Sequence, residues 1–460
     1  MGTNRRTYSF QLSSFFRDYL TVKNGKYPNI SRVYETFTEF YKNNCIDKKS
    51  LFDELSDYSF AYQQILEAST KNRKIDEILN RFNEIQVTVL RPFLLAILSD
   101  FNGDRIKSDE VVGVLSILET YIARRMIAKF PSNSLNKVIA TLYRDMKKID
   151  HSEDVSVQDI LSYILLTKTN TAKLPTDKEV AESLRVNDFY NINSSFRTYL
   201  FERLENFDHV EALQIYQGIK DQDYSIEHIM PRKLSKQWIN ELGENYKHIH
   251  QNYINQIGNL TLTGYNSKYS NKSFGEKQTM EKGFKESHFV NLNRIPAKAK
   301  SWGEDEINLR TEELLNITLK IWPYPETKYV PILQEKELIT FDGEQKFTNY
   351  QISGYCFITD EYQVETSWKD FFVSVIKQLA EINLNPMIEL TKLTLQNGLE
   401  AIFSSEPNSV NTEITEGIYV YTSLSNWRKM NYIKQLLDLY QIEYDSLLID
   451  AVSKLDDVSD

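Results

Sequence analysis

At 460 residues the chain is too long for one ordinary core, and two or three domains are expected. Its 41% hydrophobic and 26% charged residues, with many Tyr and Phe, exclude a disordered polymer, and no apolar run approaches the roughly 18 residues that cross a bilayer. A formal charge of −10 argues against a uniformly basic nucleic-acid coat, but 228–300 carries 12 Lys or Arg against 5 Glu and no Asp, a local footprint suited to phosphate.

The opening Met1-Gly2-Thr3-Asn4-Arg5-Arg6 lacks the apolar core of a secretory signal. Cys45 and Cys356 are too few and too distant for a disulfide framework or a zinc site, so a cytoplasmic protein is expected. Residues 1–150 read as helical almost throughout. Val33, Phe37 and Tyr41 share a helical face, a stretch over 76–98 is broken at Pro92, Ser108-Asp109-Glu110 opens a helix through Arg124-Arg125, and Ser132-Asn133-Ser134 restarts one to about Lys148. Further on, Thr176-Asp177-Lys178-Glu179 is a helix start and Phe196–Leu204 a helix.

The next segment carries the chemistry. Ile226-Glu227-His228-Ile229-Met230-Pro231 sets a carboxylate beside a His at the end of an extended run, and Ile257-Gly258-Asn259-Leu260-Thr261-Leu262-Thr263 and Asn266 follow. Tyr224-Ser225-Ile226 reads as the first strand of a hairpin and Leu260–Thr263 as the second; Gly264 ends it, and a polar helix runs from Asn266 to about Met280. Strand, strand, helix, with His first and Asn last, is the ββα-metal layout, which needs only a base to activate water and a hard cation on the scissile phosphate. His228 is the expected general base, against the plainer reading of a core histidine. Glu227 and Asn266 offer the oxygens that Mg²⁺ prefers, with Mn²⁺ a second choice. Asn259 is expected to orient the His-bearing loop. Lys272 and Lys277 are placed on phosphate, Lys277 near the transition-state charge, although surface lysines are common. His248 and His250 lack the Cys partners of a zinc site and are expected to flank a helix between the two halves of the motif.

These residues resemble the HNH (His-Me finger) nuclease domain of GmrSD-type type IV restriction enzymes and related phage-defence proteins. The likeness takes in Asn271, Phe274, Lys277, Ser287, Trp302, Ile307 and Arg310, ends at Ile321-Trp322-Pro323, and covers roughly 165–325. It implies a metal-dependent DNA endonuclease, with Glu227 standing where many of the wider class have Asp. Relatives usually begin with a ParB-like nucleotide-handling domain bearing an Asp-Gly-Gln-Gln-Arg motif. The nearest string here, Asp342-Gly343-Glu344-Gln345, reads as a hairpin turn in the C-terminal region. The chain is therefore expected to be an effector whose sensor is a missing domain or a separate subunit. A ribonuclease with the same site, and a catalytically silent DNA-binding subunit, are the alternatives.

Proline at Pro323 and Pro325 marks a boundary. Beyond it, 339–343, 350–352 and 356–358 read as short strands, Trp368–Ile382 as a helix, Ile418–Thr422 as a buried strand, and Met430–Leu439 as a last helix. The expected fold is α+β, mostly α: a helical domain over 1–150, a ββα-metal domain in a helical surround over 151–325, and a small α+β domain over 326–460.

Overall fold

In the computed structural model, which describes residues 5–44, 47–149, 155–330, 338–359, 361–393, 398–408 and 410–453, several helices begin where side chains take up their first N–H groups. Asn72 accepts from the start of Arg73–Glu84, Thr176 and Glu179 form a reciprocal capping box on Asp177–Val186, and Asn193 caps Ser194–Glu205. Pro92 sits in the first turn of the helix Arg91–Asn102, where its missing N–H has no helical partner to lose. The interruption expected at Pro92 thus falls before it, after Glu84. Cys45 lies outside the described residues; Cys356 is buried. Among the described residues no helix is long and apolar enough to cross a membrane.

The fold is mostly helical with small antiparallel sheets, and it forms two compact units, Met1–Pro331 and Ile332–Asp460. In the first, strand β1 (Ser225–His228) pairs antiparallel with β2 (Leu260–Thr263), Glu227 facing Thr261 and His228 facing Leu260. Helices Lys236–Leu242 and Tyr246–Tyr253 lie between the strands in sequence. One large core runs from Tyr19 through Leu98, Leu118 and Leu161 to Leu200 and Trp322, and it receives Leu260 and Leu262 from β2. A smaller core of Ile229, Met230, Trp238, Tyr269, Phe274, Trp302 and Ile307 packs around the loop after β1. The strand pair therefore lies between a large helical body and a small aromatic cluster.

Buried polar groups tie these parts together. The fully buried Arg124 guanidinium donates to the carbonyls of Trp322 and Pro175 and to Asp177 Oδ1, so helix Ser108–Ile127 clamps the two ends of the later segment. At the end of Ser194–Glu205, the Glu205 carboxylate accepts from the N–H groups of Asn291 (3.3 Å) and Leu292 (2.8 Å) and caps the helix Val290–Lys298 from outside. That helix presents Asn293, whose Oδ1 accepts from Thr261 of β2 at 2.6 Å.

In the second unit, β3 (Ile339–Thr340), β4 (Tyr350–Phe357), β5 (Gln363–Val364) and β9 (Leu447–Ser453) form a sheet in the order β3-β9-β4-β5. A second sheet has the order β6-β8-β7 and comprises β6 (Phe403–Ser404), β7 (Asn411–Thr415) and β8 (Ile418–Tyr421). Helices Trp368–Ile382 and Asn426–Tyr440 supply Phe371, Ile376, Ile433 and Leu437 to their common core. The segments expected as separate strands over 350–352 and 356–358 are one strand with an irregularity between Ile352 and Gly354. Asp342-Gly343 is a turn, with Asp342 Oδ1 accepting from Glu344 and Gln345 N–H groups. It closes no hairpin, because β3 pairs with β9.

Burial pushes the Glu205 carboxyl up to about 7, against the opposing pull of its backbone hydrogen bonds and Arg310. A raised acid pKa stabilises the fold below the unfolded value near 4.5 and loses that contribution as pH climbs through the folded value. Thermal unfolding should therefore show Tm falling between pH 5 and pH 7.5, and Glu205→Gln should flatten that slope.

Candidate active site

β1 ends on Glu227-His228, and the chain then turns at Pro231. Asn259, fully buried just before β2, holds this turn. Its Oδ1 accepts from Met230 N (2.8 Å) and Trp302 Nε1 (3.0 Å), and its Nδ2 donates to the carbonyls of Met230 (3.0 Å) and Ile254 (2.9 Å). Its own carbonyl accepts from Ile229 N at 2.9 Å. The turn before Asn259 is braced by Arg310, which donates to the Ile257 and Gly258 carbonyls at 3.0 and 2.7 Å. Position 258 must be glycine, since a Cβ would lie 2.3 Å from the Ile307 carbonyl oxygen. Asn259 does not line the cleft described next; it positions the His-bearing loop.

A cleft of about 360 Å³ opens beside β1, lined by Glu227, His228 and Asn266 together with Tyr190, Arg232 and Lys233. Asn266 directs Nδ2 to Ser225 Oγ (3.1 Å) and the Ile226 carbonyl (2.9 Å), an orientation that leaves Oδ1 for a ligand. The His228 ring is buried, 4.4 Å from the Tyr190 ring, with Nε2 3.1 Å from Asn255 Oδ1. Burial, aided by the nearby charges of Arg232 and Lys277 and opposed by the Asn255 hydrogen bond, lowers the His228 pKa to about 4. The ring is thus neutral, with a lone pair, at neutral pH.

The expectation that Lys277 meets a phosphate does not hold. Its side chain is fully buried, with Nζ 2.5 Å from Glu227 Oε1 and donating also to the carbonyls of His228 (2.9 Å) and Ile229 (3.2 Å). These three acceptors use all three of its protons. Burial pushes the Glu227 carboxyl up and the Lys277 ammonium down, and each partner opposes the shift of the other. Lys272, in contrast, is exposed. It lies between two short helices, Asn266–Tyr269 and Phe274–Thr279, where one longer helix was expected. Ser270, at φ 45°, breaks the run, and Ser273 caps the second piece.

Lys277 holds one oxygen of Glu227, and Asn266 keeps its Oδ1. A carboxylate and an amide oxygen on one polar cleft form the kind of donor set that a hard divalent cation takes, with positions left for water and phosphate. Among the described residues no group of three or more His, Cys, Asp or Glu gathers as a metal cage. His250 Nε2 lies 3.1 Å from the Pro231 carbonyl and helps to hold the loop, and His248 is exposed.

Sequence reasoning missed Tyr190, Arg232 and Lys233 on the cleft, and Asn255 and Asp188 behind it. Arg232 and Lys233 follow the motif directly and lie in the basic stretch, so their charge was a usable signal. The Arg232 guanidinium lies 5.5 Å and that of Arg197 5.1 Å from the Tyr190 ring centre.

The family described as GmrSD restriction endonucleases, C-terminal domain, matches residues 174–317, the segment that contains β1, β2, Asn259, Asn266 and Lys277. The match supports a GmrSD-type relationship for this part of the chain. No curated protein matches the chain.

Removing one member of a buried ion pair costs about 3–5 kcal/mol. Lys277→Met should therefore lower the Tm markedly while leaving the salt dependence of DNA binding unchanged. Lys272→Ala should leave the Tm alone. A salt slope that drops in Lys277→Met with no loss of stability would return this lysine to the phosphate.

Proposed function

We propose that this chain is a metal-dependent endonuclease of the HNH type, hydrolysing DNA phosphodiester bonds as the cutting part of a restriction or anti-phage system. The observation that carries the reading is the meeting of Glu227, His228 and Asn266 on one cleft, where an antiparallel strand pair leads into a short helix. The match of this segment to GmrSD-type restriction endonucleases supports it.

In this reading neutral His228 takes a proton from a water molecule. The hydroxide oxygen forms a bond to phosphorus, the bond to the leaving ester oxygen breaks, and that oxygen takes a proton from solvent. Glu227 and Asn266 would hold Mg²⁺ or Mn²⁺, which when bound supplies positive charge to the phosphate oxygens. Arg232 and Lys233 meet the phosphates of the substrate strand, the task that Lys277 is too deeply buried to perform. Asn259 keeps the loop in place. A separate sensor domain or subunit would decide when the DNA is cut.

Supercoiled plasmid incubated with Mg²⁺ or Mn²⁺, beside an RNA control, tests the proposal. Cleavage should stop with EDTA and return with metal. His228→Ala should lose on the order of 10²–10⁴-fold in rate while still binding duplex, because the base goes and the phosphate contacts remain. A His228→Ala variant cutting at the wild-type rate, or cleavage persisting after chelation, would sink the mechanism; cleavage of RNA alone would move the substrate to RNA.

Affinity for duplex should fall with salt at a log–log slope of about −0.9 for each phosphate contact. Replacing Arg232 and Lys233 together with Ala should reduce that slope, by about 1.8 if each meets one phosphate. An unchanged slope would place the DNA elsewhere on the protein.

A further inference from the structure

His228 is the last residue of β1, and what stands behind it comes from two places distant in sequence. Asn255 follows the helix Tyr246–Tyr253, and Asp188 follows the helix Asp177–Val186. Asn255 Oδ1 lies 3.1 Å from His228 Nε2, and Asn255 Nδ2 donates to Asp188 Oδ2 at 2.9 Å. Asp188 is itself surrounded by donors. Its Oδ1 accepts from the N–H groups of Tyr190 (2.9 Å) and Asn191 (2.8 Å), and its Oδ2 also accepts from Asn191 Nδ2 (2.7 Å). The main chains are locked as well, with Phe189 N donating to the Asn255 carbonyl at 2.9 Å. Asn259 donates to the adjoining Ile254 carbonyl, so the residue that holds the His-bearing loop also holds this segment.

We infer that Asp188 and Asn255 are positioning residues that hold His228 as its Nε2–H tautomer, leaving Nδ1 as the nitrogen that accepts the proton from water. The orientation follows from hydrogen-bond roles. An ionised carboxylate only accepts, so the Asn255 atom facing Asp188 is the NH₂ and the atom facing His228 is the carbonyl oxygen. That oxygen carries no proton, so His228 Nε2 must donate. A neutral imidazole protonated on Nε2 has its lone pair on Nδ1. Asp188 would close its own turn through Tyr190 and Asn191 without Asn255, so the bond to Asn255 is not required by the turn. The same turn sets the Tyr190 ring against His228, which fixes the plane of the imidazole as Asn255 fixes its edge. The geometry by itself puts a proton on Nε2; the role of Nδ1 as base rests on the nuclease reading.

Long-range ¹H–¹⁵N correlation on the full chain with ¹⁵N-labelled histidine reads the tautomer directly, the His228 signals being those lost in His228→Gln. The wild type should show His228 protonated at Nε2 and bare at Nδ1. Asn255→Leu should lose this single pattern, and kcat for plasmid cleavage should fall about 10²-fold, with KM for DNA near the wild-type value. Asn255→Asp sets two carboxylates together and should also be impaired. Adding Asp188→Asn to it rebuilds the chain with the roles exchanged and should restore both the Nε2–H pattern and most of kcat. This rescue is what a merely structural role would not produce. Protonation at Nδ1 in the wild type, an unchanged tautomer in Asn255→Leu, or no rescue in the exchanged pair would overturn the inference. The expected tautomers without cleavage by any protein, wild type included, would instead remove the nuclease reading and leave the hydrogen-bonded chain in place.

Discussion

Lys277 carries its ammonium into the interior to lie 2.5 Å from Glu227, and its other two protons go to the carbonyls of His228 and Ile229. A buried charge is tolerated only when it is paired and fully hydrogen-bonded, so these three contacts constrain one another tightly. They join the helix Phe274–Thr279 to the end of β1 at the two residues that face the cleft. The pair holds Glu227 in one place, and its positive member offsets the carboxylate charge that would otherwise be buried alone. A divalent cation at the cleft would meet a ligand already fixed in position, beside an ammonium that opposes it. Metal affinity and the stability of this corner of the fold would consequently be coupled.

The rest of the unit keeps that corner from shifting. Asn259 uses every hydrogen-bonding position of its amide on the loop after β1, the segment before β2 and the Trp302 indole, and Arg310 braces the turn before β2 through main-chain carbonyls. β2 is anchored on one side by Leu260 and Leu262 in the large core and on the other by Thr261 bound to Asn293. Asn293 belongs to the helix that Glu205 caps, so the register of the two strands reaches back into the helical body. That body does more than shield the site: its loop over 188–191 presents Tyr190 to His228 and Asp188 to Asn255.

The local features were legible because local chemistry determines them. Thr176 with Glu179 announces a helix start in a four-residue string, and alternation in Leu260–Thr263 announces a strand, although both of its faces prove to be buried. Glu227, His228 and Asn266 could be read together because two short strands and a following helix bring them to one cleft. What escaped depends on contacts distant in sequence. Lys277 lies in a polar run where a lysine ordinarily belongs to solvent, and nothing adjacent reveals the acceptors waiting 50 residues upstream. Asp188 and Asn255 look like ordinary turn residues until packing sets them behind His228. One of the two inner strands of the second unit's larger sheet, Leu447–Ser453, was passed over because its partners, β3 and β4, lie about 100 residues earlier in the chain.

The central claim, that Glu227 and Asn266 present a divalent cation to a phosphodiester beside His228, can be examined by anomalous diffraction at the manganese edge. The crystals would contain the His228→Ala variant with Mn²⁺ and a DNA duplex, so that the substrate stays intact. The account predicts a manganese peak in direct contact with the Glu227 carboxylate, Asn266 Oδ1 and a phosphate oxygen of the DNA. DNA bound in the cleft with manganese absent, or manganese held by other side chains, would contradict it.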